Sequence, residues 1–324
     1  MLRWLMGCLF LTLVAASPCL PQDANNKRIV GYLVAGGDVD TKLEQIALTK
    51  VTHLNLAFEN PINDDGDLSF HPNNAKVIAH CKRIGIPVLI SICGGSASEK
   101  ESMRLRYFQL IDKTHRSHFV KKLVDYVETH QIDGLDIDLE GPAINEDYDA
   151  FIAELAVPLH QKGKLLTCAL SQGYGGARVG DATLQLFDFV NVMAYDAAGP
   201  WNPKVPGQHS SVEFAKSCTR YWLGRGLPKS KLVLGVPFYG YGFGKDFSNG
   251  GYTYAKIVNQ YPGAENKDQV GDTIWYNGQG TMQAKVDWVR SEDLGGIMIW
   301  TLHQDVHDHR SLLKTIYEGL NAPR

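Results

Sequence analysis

Residues 133–141 read Asp133-Gly-Leu-Asp136-Ile-Asp138-Leu-Glu140-Gly141, and aliphatic and acidic side chains alternate from Leu135 onward. Successive side chains of a β-strand point to opposite faces. The pattern therefore predicts a strand that buries its aliphatic residues on one side and presents Asp136, Asp138 and Glu140 on the other.

The rest of the chain supplies further runs of β-branched or apolar residues, separated by longer segments with helical periodicity. The eight predicted strands span residues 29–34, 51–58, 88–92, 135–139, 165–170, 187–193, 232–237 and 297–300. Between them, residues 118–127 and 148–155 place apolar side chains at i, i+3, i+4 and i+7, as amphipathic helices do. Eight alternating units favour a closed parallel barrel over an open sheet. We therefore predict an α/β fold, a (β/α)8 TIM barrel, with the carboxyls inside it.

The longest interruption of this alternation follows the seventh predicted strand. Residues 241–277 are dense in Gly, Asp and Asn, and residues 254–261 show a short helical pattern. We expect a small insertion packed on the top of the barrel. No Gly/Ser-rich or Pro-rich linker follows the first residues, so one domain is predicted over residues 27–324.

The N-terminal residues are typical of a secretory signal peptide. Arg3 is followed by an apolar run over residues 4–16 and by small residues that end at Ser17. The run is too short to span a bilayer, so we predict a signal peptide over residues 1–19, with the cleavage site open, and no transmembrane segment. The protein is expected to be secreted or periplasmic. Cys19 leaves a lipid-anchored form as an alternative, although Pro18 occupies a position where a small residue is usual.

Composition narrows the classes of ligand. A net charge of −3 and the lack of a long Lys/Arg run argue against binding to nucleic acid or to an anionic membrane. Cys81, Cys93, Cys168 and Cys218 are spread too widely for a metal knuckle or a small disulfide scaffold, and we expect buried, unpaired thiols. The predictions are no metal, no cofactor and a monomer.

Acidic side chains inside a barrel have a specific chemical consequence. Loss of hydration and mutual repulsion both favour the neutral form, so at least one pKa must rise. A carboxyl that stays protonated near neutral pH can act as a general acid. Two other interpretations of the acidic residues are a solvated acidic loop, which the aliphatic alternation disfavours, and a calcium loop over residues 136–147. In the calcium loop, Ile137 and Leu139 would occupy positions that are usually polar.

The acidic pattern Asp133-x-x-Asp136-x-Asp138-x-Glu140 resembles the signature of glycoside hydrolase family 18, the chitinases and their relatives. The resemblance covers nearly the whole chain after the leader. The other matching motifs are Gly31-Tyr32, residues 52–58, Met193-x-Tyr195-Asp196 with Gly199 and Trp201, residues 234–240, and residues 295–300 with their terminal Trp. Their order along the chain is that of the family.

This resemblance implies a role for each matched catalytic residue. Glu140 would be the proton donor, and Asp138 would orient the 2-acetamido group of the substrate, whose carbonyl oxygen attacks C1 to give an oxazolinium intermediate. Asp136 would share a proton with Asp138, and Tyr195 would donate its hydroxyl to the acetamido oxygen. Trp300 would form the floor beneath the reacting sugar. The implied activity is hydrolysis of β-1,4-linked N-acetylglucosamine polymers with retention of configuration.

Further substrate contacts are expected from side chains at the same strand ends. The expected contacts are Asp196, Met193, Tyr32, Phe58, Trp201 and Tyr239. His53 and His303 are expected to complete hydrogen-bond networks.

The third strand departs from the family pattern. Ser91-Ile-Cys93-Gly-Gly95 is one residue longer than the usual Ser-x-Gly-Gly, so the resemblance assigns no role to Ser91. The short insertion after strand seven implies an open cleft and internal cleavage.

Three other functions remain open on the sequence. A catalytically silent, chitin-binding lectin of the same family would be revealed by loss of the acid, and Glu140 is present. An endo-β-N-acetylglucosaminidase or peptidoglycan hydrolase could share the acidic strand. A calcium-binding structural protein would lose heat stability in a chelator.

Overall fold

Eight parallel strands close into a barrel in the computed structural model, which describes residues 27–323. The barrel strands are β1 (Arg28–Val34), β2 (His53–Glu59), β3 (Val88–Cys93), β4 (Gly134–Asp138), β5 (Leu165–Leu170), β6 (Phe189–Met193), β7 (Leu232–Pro237) and β8 (Gly296–Trp300). Each strand pairs with its neighbours in sequence, and β1 also pairs with β8. The predicted fold class is confirmed.

Helices connect the strands on the outside of this barrel. They are α1 (Val39–Gln45), α2 (Pro72–Ile84), α3 (Gly95–Glu99), α4 (Glu101–Ile111), α5 (Arg116–Thr129), α6 (Tyr148–Gln161), α7 (Asp181–Leu184), α8 (Val212–Gly224), α9 (Tyr254–Gln260), α10 (Gln279–Ser291) and α11 (Leu312–Asn321). The predicted and observed strand ends differ by at most two residues, as at 51–58 against His53–Glu59. The chain is already extended there before the ladder hydrogen bonds begin.

Apolar side chains pack in two layers, one outside and one inside the sheet. The outer layer fills the space between strands and helices and includes Leu135, Ile137 and Leu139, as the alternation predicts. A smaller inner cluster plugs the barrel and includes Val30, Val233 and Met298 together with lumen-facing aromatic rings. The inner cluster is a packed base on which the acidic side chains rest.

The segment after β7 is an excursion that begins at Tyr239, two residues before the predicted start. It contains two antiparallel pairs, Tyr239–Gly240 with Tyr252–Thr253 and Gln269–Val270 with Ile274–Trp275. Helix α9 lies between these pairs, over nearly the residues that the helical pattern predicts. The segment rejoins the barrel layer at α10.

A buried lysine ties this excursion to the loop after β6. Lys285 of α10 is fully buried, and its Nζ donates to the carbonyl oxygen and Oγ of Ser210 at 2.8 and 2.7 Å and to Oδ1 of Asn277 at 2.6 Å. The hydroxyl of Ser210 donates in turn to the carbonyl oxygen of Ala194, 2.6 Å away, at the end of β6. Burial lowers the pKa of Lys285 to about 7.

The described residues contain four cysteines. Cys81, Cys93, Cys168 and Cys218 are buried and unpaired, as predicted. The predicted signal peptide over residues 1–19, and with it the lipid modification considered for Cys19, lie outside the described residues. Within residues 27–323, no helix has the length and apolar character needed to cross a membrane.

Candidate active site

Three carboxyl groups stand one above another at the carboxyl end of β4. Asp136 and Asp138 belong to the strand and are buried, whereas Glu140 lies two residues beyond its end and is partly exposed. Strand alternation places them on one face, so their depth in the barrel decreases in chain order.

Asp136, the deepest of the three, is held by four side-chain donors. Its Oδ2 accepts from the hydroxyl of Tyr32 at 2.6 Å and from that of Ser91 at 2.7 Å. Its Oδ1 accepts from the hydroxyl of Thr167 at 2.6 Å and from Nδ2 of Asn191 at 3.2 Å. Burial raises the pKa of Asp136, and these hydrogen bonds oppose the rise.

Asp138 has the opposite environment. Its Oδ1 is buried without a hydrogen-bond partner among the described residues. Burial, then the neighbouring carboxyls of Glu140 and Asp136, raise its pKa well above the usual range. No hydrogen bond joins Asp138 to Asp136 within the described part of the chain, so the predicted sharing of a proton stays a prediction. A buried polar atom without a partner, beside a cavity, is suited to a group that a ligand brings.

Glu140 lies at the mouth, where a general acid would be needed. Burial, followed by the negative charges of Asp196 and Glu99, raises its pKa from 4.5 to about 7. A substantial fraction of this carboxyl is therefore protonated at neutral pH, which meets the requirement for proton donation.

A cavity opens above these acids. Its lining contains the predicted catalytic residues Asp138, Glu140 and Tyr195 and the predicted contact residues Tyr32, Phe58, Met193, Asp196, Tyr239 and Trp300. Gly95, Ser96 and Ala169 complete the lining. Asp136 lies beneath it. The structure thus brings together every predicted site residue except Trp201.

The base of the cavity is aromatic. The half-buried ring of Trp300 stacks against Phe58, with ring centroids 5.5 Å apart and an interplanar angle of 24°. Tyr32 contacts the same indole at 5.4 Å in a tilted arrangement. These rings present an apolar surface of the kind on which the face of a sugar can stack.

Tyr195 and Asp196, which follow β6, contribute polar groups to the wall of the cavity. The hydroxyl of Tyr195 makes only a weak contact, 4.0 Å from Sδ of Met298, and is available to a ligand. Burial and nearby carboxyls raise its pKa well above the usual range, so it remains a donor. Asp196 accepts a hydrogen bond from the hydroxyl of Tyr239 at 2.5 Å and lies 3.4 Å from Nδ1 of the buried His209.

Trp201 lies outside this cavity. Its side chain is 61% exposed, and its ring meets Tyr241 edge-on at 5.4 Å. Tyr241 contacts Tyr239 at the same distance, 5.4 Å, so the three rings form a row that leads away from the cavity wall. The expected sugar contact of Trp201 stays a prediction for a position farther along this row.

Four residues that contact the acidic side chains of the site were not predicted from the sequence. They are Ser91, Thr167 and Asn191, which contact Asp136, and His209, which contacts Asp196. The resemblance assigns no role to Ser91, but the structure places its hydroxyl against Asp136. The register of β3 with β4 continues through Cys93, which pairs with Asp138 and has a φ of 77° at the end of β3. Thr167 pairs with Asp136 from the other side.

The structure of β4 argues against a calcium loop at this position. Residues 134–138 form a strand, whereas a calcium loop would need a turn there. Within residues 27–323, no group of three or more His, Cys, Asp or Glu side chains is placed to hold a metal ion. His53 and His303 contact the hydroxyls of Thr52 and Thr301 at 2.9 and 3.0 Å, which agrees with the expected hydrogen-bond roles.

Comparison with solved structures shows a close relationship to chitinases. A GH18 chitinase from the chitin utilization locus of Flavobacterium johnsoniae is 37% identical, with a TM-score of 0.84 over 91% of this chain and 94% of that one. A chitinase from Bacteroides thetaiotaomicron is 26% identical, with a TM-score of 0.76 over 91% of this chain and 96% of the other.

Relatives found by sequence also carry the names of chitinases or chitinase-like proteins. Endochitinase 1 of Metarhizium robertsii is 26% identical over 258 residues, which are 64% of this chain and 60% of that protein. A chitinase-like effector of Moniliophthora roreri is 26% identical over 84% of this chain and 73% of the effector. The chain thus spans less than two thirds of the endochitinase. The sequence model of the family described as "Glycosyl hydrolases family 18" matches residues 28–305. The chain therefore belongs to glycosyl hydrolase family 18.

Proposed function

We propose that the protein is an endo-acting, retaining glycosidase that cleaves β-1,4-linked N-acetylglucosamine chains, either chitin or its soluble oligosaccharides. The observation that carries the proposal is the position of three groups around one cavity. The carboxyl of Glu140 lies at the mouth, and the side chains of Asp138 and Tyr195 line the same cavity. Oδ1 of Asp138 is buried without a hydrogen-bond partner among the described residues, and the hydroxyl of Tyr195 makes only a weak contact. This set can grip an acetamide while it protonates the adjoining glycosidic oxygen.

The proposed reaction begins with a sugar ring on Trp300. Glu140 donates its proton to the glycosidic oxygen as the bond from that oxygen to C1 breaks, and the bonding electron pair leaves with the oxygen. The acetamido carbonyl oxygen forms a new bond to C1 on the opposite face. Asp138 accepts a hydrogen bond from the acetamido N–H and stabilises the positive charge that develops on the oxazolinium ring, while Tyr195 donates a hydrogen bond to the acetamido oxygen.

The second step reverses these roles at Glu140. As a carboxylate it removes a proton from a water molecule, whose oxygen attacks C1 and opens the oxazolinium ring. Two displacements at C1 retain the configuration. The raised pKa of Glu140, about 7, suits a group that must act first as an acid and then as a base.

The size of the cavity supports internal cleavage. Its volume of about 220 Å³ falls below the roughly 300–1,000 Å³ of sites that enclose a drug-sized ligand. One sugar ring fits inside, and neighbouring units of a chain extend over the open surface toward the row of Tyr239, Tyr241 and Trp201.

A binding protein without turnover is the second candidate, because one relative carries the name chitinase-like effector. Incubation of the protein with reducing-end-labelled chitopentaose, followed by chromatography and mass spectrometry of the fragments, separates the two. Internal fragments produced over many turnovers support the proposal. Binding without fragments supports the second candidate, and release from a high-mannose glycoprotein or peptidoglycan alone would move the activity to those substrates.

We also propose that the protein is exported, on the strength of the N-terminal leader. Export is tested by N-terminal sequencing of protein recovered outside the cytoplasm. A mature chain that begins after about residue 19 is expected, and the start site will also distinguish a free N-terminus from a lipid-modified Cys19. The expected monomeric state is tested by light scattering of the same sample.

A further inference from the structure

The chain that follows β3 is packed against the backbone of β4 at its acidic end. Gly94 donates its N–H to the carbonyl oxygen of Asp138 at 3.0 Å, and α3 begins at the next residue. A Cβ on Gly94 would lie 2.5 Å from the ring of Phe58, and a Cβ on Gly95 would lie 3.1 Å from Oε1 of Glu140. Residues 93–99 therefore line the side of Glu140 that faces β3.

Ser98 makes the most direct contact in this segment. It is fully buried, and its Oγ accepts a hydrogen bond from the backbone N–H of Glu140 at 3.0 Å. The pairing of β3 with β4 ends at Asp138, so Glu140 lies past the last ladder pair. A side-chain hydroxyl thus takes the place of a strand partner for the residue that carries the acid.

Cys93 holds Ser98 from the other side. Its Sγ lies 3.3 Å from the hydroxyl oxygen of Ser98, and the thiol is buried. Cys93 belongs to the altered third-strand motif, Ser91-Ile-Cys93-Gly-Gly95. Cys93 and Ser98 therefore form one line of contacts, from the thiol through the hydroxyl to the backbone N–H of Glu140.

We propose that Ser98 is a positioning residue for Glu140, and that Cys93 supports it. Ser98 does not touch the cavity; it fixes the backbone from which the carboxyl of Glu140 projects toward the glycosidic oxygen. The inference rests on the proposed function and deepens it, because it concerns proton delivery alone. A displacement of about 1 Å at a reacting group can cost ~100-fold in rate.

Two substrates whose leaving groups differ in basicity distinguish a defect in proton delivery from a general loss of activity. Departure of a sugar alkoxide from chitotetraose needs the proton of Glu140, whereas a dinitrophenolate leaves from an aryl chitobioside with little assistance. In Ser98→Ala, kcat on chitotetraose should fall about tenfold or more, and kcat on the aryl glycoside should change by less than about twofold. KM should change little for either substrate.

The pH profile gives a second measurement. The acidic groups that face Glu140 are Asp138, Asp196 and Glu99, and all three remain in the variant. A change in the alkaline limb of kcat/KM on chitotetraose is therefore expected from movement of Glu140 itself. Ser311→Ala is the matched control, because Ser311 is a buried serine that also accepts a backbone N–H, from Lys314 at 3.0 Å, at the start of α11.

Each outcome decides the inference. Equal losses on both substrates, or an unchanged kcat on chitotetraose, would overturn it. If Ser98→Ala does not fold, Cys93→Ala is the second test, because it keeps the hydroxyl of Ser98 and removes the thiol that contacts it. The proposal then requires a smaller loss of kcat that is confined to chitotetraose. Wild-type protein that cleaves neither substrate would refute the proposed function, whereas an active wild type with equal losses in the variant refutes only the role of Ser98.

Discussion

The hydroxyl of Tyr239 donates a hydrogen bond to Oδ1 of Asp196, 2.5 Å away. The contact joins the residues that follow β7 and β6 at the wall of the cavity. It holds the Asp196 carboxylate where its charge contributes to the raised pKa of Glu140. The pH dependence of the acid is therefore set in part by a residue on another strand.

Replacement of Asp196 by Asn should shift the pH optimum. Loss of the negative charge removes a cause of the raised pKa of Glu140, which falls from about 7 toward its usual value. Glu140 then loses its proton at lower pH, so the alkaline limb of the kcat/KM profile should move to lower pH. Tyr239→Phe, which keeps the charge, is the control and should move the limb less. An unmoved limb in Asp196→Asn would remove this residue as a determinant of the pKa.

Glu140→Gln tests the acid itself. The amide keeps the size of the side chain but cannot deliver the proton, so kcat on chitooligosaccharides should fall at least about 100-fold. Binding should survive, which titration calorimetry with an uncleaved oligomer can measure. Near-normal turnover would exclude Glu140 from the mechanism.

Trp300→Ala tests the aromatic base of the cavity, and Trp201→Ala, at an exposed ring outside the cavity, is its comparison. Removal of the surface that stacks with Phe58 should lower kcat/KM on short oligomers by about tenfold or more, equivalent to ~1.4 kcal/mol of transition-state stabilisation. Trp201→Ala should leave short oligomers unaffected and weaken only longer ones. Equal effects of the two changes on every chain length would contradict the positions of these rings. Circular dichroism checks that Trp300→Ala is folded.

Substrate analogues test the source of the nucleophile. A fully deacetylated oligomer should bind without cleavage because the attacking oxygen is absent, and a thiazoline mimic of the intermediate should inhibit competitively. Asp138→Asn should reduce kcat more than binding, since the carboxylate acts mainly on the charge that develops in the transition state. The first product seen by NMR should have retained configuration, and an inverted product would refute the mechanism.

The buried Lys285 predicts a pH dependence of stability. Its pKa is about 7 in the fold, against 10.5 as the ordinary value, so between these pH values the unfolded chain binds more protons at this site. The contribution of Lys285 to the free energy of unfolding should therefore rise with pH across this window. The measurement is the difference in unfolding free energy between wild type and Lys285→Met at pH 7 and pH 9.5. A difference that is constant with pH would show that the lysine does not titrate in this range.

Several elements follow from local patterns, and the structure shows why. Leu135, Ile137 and Leu139 recur with the period of a strand, so both the strand and its buried face are readable from neighbouring residues. The carboxyls lie on the other face for the same reason. The matched motifs place Tyr195 and Trp300 at strand ends, and barrel closure brings those ends together.

The side chains that hydrogen-bond to the acidic residues could not be predicted from local sequence patterns. Ser91 and Thr167 reach Asp136 because β3 and β5 pair with β4 in one particular register. A slip of one residue would turn these side chains away, and a single sequence does not reveal which register is adopted. The direction of Trp201 depends likewise on the path of a long loop. Local periodicity therefore predicts the elements and their faces, while cross-strand partners need the assembled barrel.

The four buried thiols have a practical consequence for handling the protein. Burial raises the pKa of Cys81 and Cys218 to about 11 and that of Cys93 to about 12, so the reactive thiolate is scarce at neutral pH. Because no disulfide is present within residues 27–323, this part of the chain can reach its native state without an oxidant. Reductant should therefore leave its melting temperature unchanged.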